Sequence, residues 1–210
     1  MRFAELDAVT VDGYGTLLQL VDPVPPLRRA LAGRGIEAGD DEIGAAFRAE
    51  VAHYRPRAVD GRDAATLAAL RADCTGVFLE SLGSALEPGE FVEDFIGSLV
   101  FEAVPGARET LEALDRRGLR LAVVANWDCA LPGHLAAAGL DGSFDTVVTS
   151  ARAGAAKPDP AIFELALTEL GVELSETHSG AARGRGRLDR RRSPAPARAV
   201  RPGRSRSGRS

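Results

Sequence analysis

The chain has 210 residues, of which 45% are apolar, and its formal net charge is −4, so it can form one domain of ordinary size or a core with a substantial insertion. No segment approaches the roughly 20 consecutive apolar residues of a membrane span, and the first residues lack a secretory signal pattern. The two cysteines, Cys74 and Cys129, form neither a metal-binding spacing nor a disulfide framework. We therefore expect a cytoplasmic protein with no membrane partner.

The first predicted element is a short, apolar, β-branched strand at Ala8–Val11. Asp12 follows it directly, before a turn in which Gly13 and Gly15 can adopt backbone conformations that other residues resist. A carboxylate in that place is exposed and suits an aspartyl nucleophile. The alternative is an aspartate that only caps the turn. This run of residues alone leaves both interpretations open.

A helical insertion is predicted next, with no convincing strand in it. Its four helices cover residues 24–32, 41–54, 63–81 and 90–100. The insertion begins just after the carboxyl end of the first strand, where open α/β sheets bind ligands, so it is placed to act as a lid. Candidates to face a substrate from this lid lie at the end of its second helix: His53, Tyr54, Arg55 and Arg57. An Arg-rich helix end is also commonly just solvated.

The remaining elements alternate between helix and strand. They are a helix at 106–118, a strand at 119–124, a helix at 130–138, a strand at 144–148 and a helix at 160–170. The last helix begins with Asp159 as its N-cap and Pro160 at its first position. This alternation predicts an α/β fold with a parallel sheet.

Two further residues suggest chemistry when they are taken together with Asp12. Asn126 follows the predicted strand at 119–124, and Lys157 lies just before the last helix. A lysine there would neutralise charge on the nucleophile and on an anionic substrate, while the Asn126 carboxamide and the amides near Gly13 could hold substrate oxygens. Each has a structural explanation by itself: a solvated lysine, a turn-forming asparagine. Their order, with the insertion between them, favours one common site.

These motifs resemble those of the haloacid dehalogenase (HAD) superfamily of hydrolases, in the branch with a helical (C1-type) cap, over residues 7 to about 177. The matching strings are Asp12-Gly13-Tyr14-Gly15-Thr16, Val124-Ala125-Asn126 and Lys157-Pro158-Asp159-Pro160-Ala161-Ile162-Phe163. The resemblance implies a Rossmann-like core at 1–20 and 103–177 and an all-helical cap at 21–102. It implies the catalytic residues Asp12, as nucleophile, Lys157 and Asn126. The implied substrate-binding residues are Gly13, Tyr14, Gly15 and Thr16.

Tyr14 separates the two chemistries that this resemblance implies. Phosphatases of the family usually carry a second aspartate there, which protonates the leaving alcohol, and a phenol with an ordinary pKa of about 10 replaces it poorly. Dehalogenases of the family carry tyrosine, because halide leaves unprotonated and no metal is needed. Dehalogenation of a small anionic substrate is therefore favoured, with a phosphatase as the alternative. Ala125 lacks the hydroxyl that both branches use at that position.

The fourth motif of the family, a strand followed by paired acidic residues, is not matched. Asp189 stands alone in an Arg- and Gly-rich run, and one aspartate does not make a hard-cation site. We expect no metal or other cofactor, except Mg²⁺ if the chain is a phosphatase. In this family the missing strand pairs with the first strand, so we expect an incomplete core, an exposed edge at Ala8–Val11 and aggregation. An inactive or regulatory HAD-fold protein is a further alternative.

Residues 178–210 differ in composition from the rest of the chain. They hold 11 Arg and one Asp, whereas residues 1–177 hold 15 Lys and Arg against 29 Asp and Glu. Their few large aliphatic side chains predict disorder. One explanation is non-specific binding of RNA through its phosphates, the only nucleic-acid contact that we expect. The favoured one is a shifted reading frame in a GC-rich gene, because the change falls where the fourth motif is due.

Overall fold

The computed structural model describes residues 6–172, which contain five β-strands and eight α-helices. The strands are β1 (Ala8–Val11), β2 (Leu18–Leu20), β3 (Phe101–Ala103), β4 (Arg120–Ala125) and β5 (Thr146–Thr149). The helices are α1 (Val24–Gly33), α2 (Asp40–Arg57), α3 (Ala64–Ser81), α4 (Pro88–Gly97), α5 (Ala107–Asp115), α6 (Leu131–Ala137), α7 (Ser150–Ala153) and α8 (Pro160–Leu170). No helix among these residues is long and apolar enough to cross a membrane. The Arg-rich segment 178–210 and the place of the fourth motif lie outside the described residues.

The core is a parallel sheet in the order β1-β4-β5. Side chains alternate across the central strand β4, so Leu121 and Val123 pack into one apolar cluster and Ala122 and Val124 into another. Both faces of β4 are therefore buried, as is usual for parallel sheets. The α/β fold with a parallel sheet is confirmed. Because Val11 pairs with Val123, the carboxyl ends of β1 and β4 lie side by side.

Helices α1 to α4 form a helical insertion between β2 and β3. The insertion has an apolar core of its own, built from Leu27, Leu31, Ile43, Ala46, Phe78, Leu79, Phe91 and Phe95. Helix α3 begins after Asp63, whose carboxylate accepts a hydrogen bond from the Thr66 amide at 2.9 Å. A separate core supports a cap at residues 21–102, but these domain bounds stay a prediction.

A two-stranded antiparallel ribbon connects the insertion to the core, where no strand was expected. Leu18 pairs with Ala103 and Leu20 with Phe101, so the outgoing and returning segments run side by side. The cap predicted as all-helical at 21–102 therefore includes the start of β3, whereas β2 lies in the part predicted as core. Each strand has only three residues, too few to show an alternating pattern, and pairing between distant segments stabilises them. The predicted helix at 90–100 also ends earlier, at Gly97.

Strand β1 lies at an edge of the sheet as described. Within residues 6–172 it pairs only with β4, and Val9 and Val11 are partly buried against the core. The strand expected on its other side would come from the segment beyond residue 172. Aggregation through this edge stays a prediction.

Candidate active site

Asp12 and Lys157 meet at the carboxyl end of the sheet. Asp12 follows β1 directly, and Lys157 lies in the loop before α8. The Lys157 ammonium donates hydrogen bonds to Asp12 Oδ1 at 2.6 Å and to the Val124 carbonyl at 2.8 Å. The Gly13 amide also donates to Asp12 Oδ1, at 2.8 Å. Among the described residues nothing donates to Asp12 Oδ2, so this oxygen is open to a ligand.

Lys157 is the only lysine in the whole sequence, in which every other Lys or Arg position is arginine. An ammonium is a compact point charge, whereas a guanidinium is a planar fork. The compact charge suits this place, because one nitrogen contacts a single carboxylate oxygen of Asp12 and a strand carbonyl together.

Asn126 holds the backbone of Lys157. Its Nδ2 donates to the Lys157 carbonyl at 3.1 Å, and its Oδ1 accepts from the Lys157 amide at 2.6 Å. These paired contacts fix the loop between α7 and α8 against the end of β4. In this geometry Asn126 positions Lys157, whereas the sequence suggested that its carboxamide holds substrate oxygens.

The turn after Asp12 places one of the four predicted substrate-binding residues in a cavity. Tyr14 is 52% exposed and lines that cavity, whereas Gly13, Gly15 and Thr16 do not. Gly13 is buried, and a Cβ there would lie 3.0 Å from the Ala125 Cβ, so the close approach requires glycine. Gly15 has a φ of +76°, which favours glycine as predicted.

The cavity measures about 470 Å³ and lies between the core and the helical insertion. Its polar lining residues are Asp12, Tyr14, Glu50, Tyr54, Arg55, Arg71, Cys74, Asn126, Asp128, His134 and Lys157. Its apolar lining residues are Leu20, Phe47, Val51, Leu70, Ile96, Leu99, Phe101, Ala125 and Trp127. A cavity of this volume, lined by apolar side chains and convergent polar groups, is typical of small-molecule sites.

Two of the four lid candidates line this cavity. Tyr54 and Arg55 do so, whereas His53 pairs with Asp73 at 2.5 Å and Arg57 donates to the His53 carbonyl at 2.9 Å. The side chains of His53 and Arg57 are therefore used within the insertion.

Residues 6–177 match the model of the haloacid dehalogenase-like hydrolase family. The chain belongs to this family. The human haloacid dehalogenase-like hydrolase domain-containing protein 3 is 45% identical over 78 residues, or 37% of this chain and 31% of that protein. The chain thus spans about a third of the length of the curated relatives that it matches at this level.

Two longer matches are to dehalogenases. The (S)-2-haloacid dehalogenase 4A of Burkholderia cepacia is 32% identical over 179 residues, which cover 81% of this chain and 72% of that protein. The structure of L-2-haloacid dehalogenase from Xanthobacter autotrophicus aligns with a TM-score of 0.58 and 28% identity, over 81% of this chain and 67% of that one.

In this HAD-like hydrolase, Tyr54 joins helix α2 to the core. Its hydroxyl donates to Asp128 Oδ2 at 2.9 Å, and the Ala130 amide donates to Asp128 Oδ1 at 2.7 Å. Burial and the neighbouring Asp128 carboxylate raise the pKa of Tyr54, so it stays a neutral donor. The Cys129 amide donates to the Gly61 carbonyl at 2.8 Å beside this contact. The insertion is therefore fixed to the loop that follows β4.

Glu50 is a buried carboxyl on the α2 wall of the cavity. It is 6% exposed, and its neighbour on α3 is Cys74. Burial raises the pKa of Glu50 to about 7, against a smaller lowering by the thiol. Burial, followed by the Glu50 charge, raises the pKa of Cys74 to about 12. The pair therefore consists of a neutral thiol and an acid that is half protonated near neutral pH.

His134 contributes to an aromatic part of the cavity wall. Its ring centroid lies 4.7 Å from that of Phe101 and 5.6 Å from that of Trp127. Burial lowers the pKa of His134, which favours the neutral ring at neutral pH. These contacts make His134 and Trp127 part of a packed aromatic wall.

The described residues do not fit Mg²⁺. No group of three or more His, Cys, Asp or Glu side chains within residues 6–172 is arranged to hold a metal ion. Asp12 Oδ1 already accepts from Lys157, and Tyr14 supplies a phenol rather than a second carboxylate.

Sequence reasoning missed four polar residues of the cavity: Glu50, Arg71, Cys74 and Asp128. A signal for Glu50 was present, since Phe47, Glu50 and Tyr54 follow one another at spacings of three and four and share a face of α2. Which face of an inserted helix meets the core depends on tertiary packing, so that signal could not be used without the structure.

Proposed function

We propose that this HAD-like hydrolase removes halide from a small 2-haloacid through an ester formed on Asp12. The observation that carries this proposal is the Asp12–Lys157 pair at 2.6 Å in the cavity wall, with Tyr14 where a phosphatase needs an acidic proton donor. The relatives named as 2-haloacid dehalogenases support the same class of substrate.

The first step is displacement at carbon. Asp12 Oδ2, which accepts no hydrogen bond from the described residues, attacks the carbon that bears the halogen. A carbon–oxygen bond forms, the carbon–halogen bond breaks, and halide leaves with the electron pair. Lys157 and the Gly13 amide hold Oδ1, so the carboxylate presents its other oxygen to the substrate.

The second step is hydrolysis of the Asp12 ester. Water attacks the ester carbonyl carbon, and the bond between that carbon and Oδ2 breaks. One proton of the water passes to the leaving oxygen and the other is released to solvent, so a 2-hydroxy acid leaves as the carboxylate re-forms. Negative charge develops on Oδ1 during this attack. The Gly13 amide and the Lys157 ammonium, at 2.8 Å and 2.6 Å, already donate to that oxygen and would stabilise the charge.

Two arginines on the insertion favour an anionic substrate. Arg55 and Arg71 both line the cavity, and within residues 6–172 neither makes a salt bridge or a side-chain hydrogen bond. With Lys157 they place three cationic side chains around the cavity. Cationic side chains in a partly apolar cavity attract a carboxylate and so raise the local concentration of an anionic substrate.

Halide release is the direct test. We expect the full 210-residue chain to release chloride or bromide from short 2-halocarboxylic acids, measured with an ion-selective electrode, and to release no phosphate from phosphate monoesters. Magnesium-dependent phosphate release without halide release would overturn the proposal in favour of a phosphatase. The Asp12→Asn variant sets the background rate of both assays.

A further inference from the structure

Glu50 is the buried acidic group of the cavity that the proposed reaction does not use. It lies on the α2 wall, whereas Asp12 and Lys157 lie on the core wall of the same cavity. Burying an ionised carboxylate is costly unless strong donors compensate it, and a thiol is a weak donor. Glu50 lines the ligand space, and within residues 6–172 no N–H or hydroxyl group donates a hydrogen bond to its carboxyl.

The other charged and titratable groups around Glu50 are those that line the same cavity. Helix α2 itself supplies Tyr54 and Arg55, and α3 supplies Arg71 and Cys74; α1 and α4 supply none of the described lining residues that ionise. The remaining titratable or charged lining residues belong to the core and its loops: Asp12, Tyr14, Asp128, His134 and Lys157.

Several of these groups do not change charge just above neutral pH. Burial raises the pKa of Cys74 to about 12 and raises that of Tyr54 as well, so both stay neutral. Burial lowers the pKa of His134, which keeps that ring neutral above its usual range. Glu50, in contrast, changes from a neutral donor to an anion as the pH rises through about 7.

We propose that Glu50 is a specificity-determining residue of the cavity: its protonated carboxyl donates a hydrogen bond to an acceptor oxygen of the bound acid, and its ionised form repels that acid. This inference rests on the proposed function, since it concerns an anionic substrate of the same site. The protonated form adds a neutral donor to the cationic wall of Arg55 and Arg71. The ionised form places an anion beside an anionic substrate where little water screens it.

The test is the pH dependence of substrate binding. We expect KM for the preferred 2-haloacid to rise about tenfold or more from about pH 6 to about pH 9, with a much smaller change in kcat. In Glu50→Gln, whose amide donates at every pH, we expect KM to stay near the low-pH value of the wild type. The control Glu37→Gln removes an exposed carboxylate before α2 and should follow the wild type.

Binding of the 2-hydroxy acid product gives a second readout that needs only the wild-type chain. Calorimetry at about pH 8 in buffers of different ionisation enthalpy should show uptake of close to one proton per ligand bound. Halide release with a flat KM profile, or binding without proton uptake, would overturn the role of Glu50 alone. A chain that releases no halide at any pH would overturn the proposed function, and with it this inference.

Discussion

Asp12→Asn is expected to abolish halide release, with a loss in kcat on the order of 10³-fold or more. An amide has almost the shape of the carboxylate but is a very poor nucleophile, so no ester forms. The fold should be unchanged, because the Asp12 side chain is 50% exposed and its Oδ1 contacts with Gly13 and Lys157 can persist. Initial rates of halide release measure the loss, and the far-UV circular dichroism spectrum checks the fold.

The matched control for this variant is Asp115→Asn. Asp115 is an exposed carboxylate at the end of α5 and is not among the residues that line the cavity. We expect it to keep the wild-type rate. Retention of wild-type turnover by Asp12→Asn, measured early enough to exclude deamidation back to aspartate, would contradict the nucleophilic role.

Lys157→Met is expected to reduce kcat/KM by about 10²- to 10³-fold. Methionine has a similar length but no charge, so Oδ1 keeps only the Gly13 amide as a donor when the ester is hydrolysed. The attraction of an anionic substrate weakens as well, because the lining loses one of its three Lys and Arg side chains and keeps only Arg55 and Arg71. Steady-state halide release over a range of substrate concentrations separates the two effects.

Lys157→Arg tests whether charge alone is sufficient. A guanidinium is larger than an ammonium and planar, so it does not reproduce the contacts of one compact nitrogen with Asp12 Oδ1 and the Val124 carbonyl, and we expect a loss of roughly tenfold or more. Because Lys157 is the only lysine, an amine-selective reagent reports on it and on the chain terminus only. Inactivation by such a reagent should be slowed by substrate. Full activity of Lys157→Met would show that the Lys157 ammonium has no role in the reaction.

The central residues of the site were predictable from the sequence because polar side chains directly follow the ends of two apolar strands. Asp12 comes after β1 and Asn126 after β4, and adjacent parallel strands bring those ends together. What each side chain contacts was not predictable in the same way. The two hydrogen bonds between the Asn126 side chain and the Lys157 backbone depend on the conformation of the loop between α7 and α8, which no local pattern specifies.

The insertion side of the site could not be assigned from the sequence. Helix content followed from periodicity, but Glu50 reads as an ordinary acidic residue on a polar helix. Its burial arises only when α2 packs against α3 and the core. The β2–β3 ribbon was missed for a related reason, since strands of three residues are stabilised by partners some 80 residues away rather than by local preference.

The covalent role of Asp12 is tested most directly by oxygen-isotope labelling of a single turnover. Wild-type chain in excess over a 2-haloacid is allowed to react once in water enriched in ¹⁸O, and the 2-hydroxy acid product and the peptide containing Asp12 are weighed by mass spectrometry. Attack by Asp12 predicts a product that carries ordinary ¹⁶O from the carboxylate, with ¹⁸O incorporated into Asp12. A product that carries ¹⁸O after this first turnover, with Asp12 unlabelled, would mean that water attacks the substrate directly and would contradict the ester mechanism.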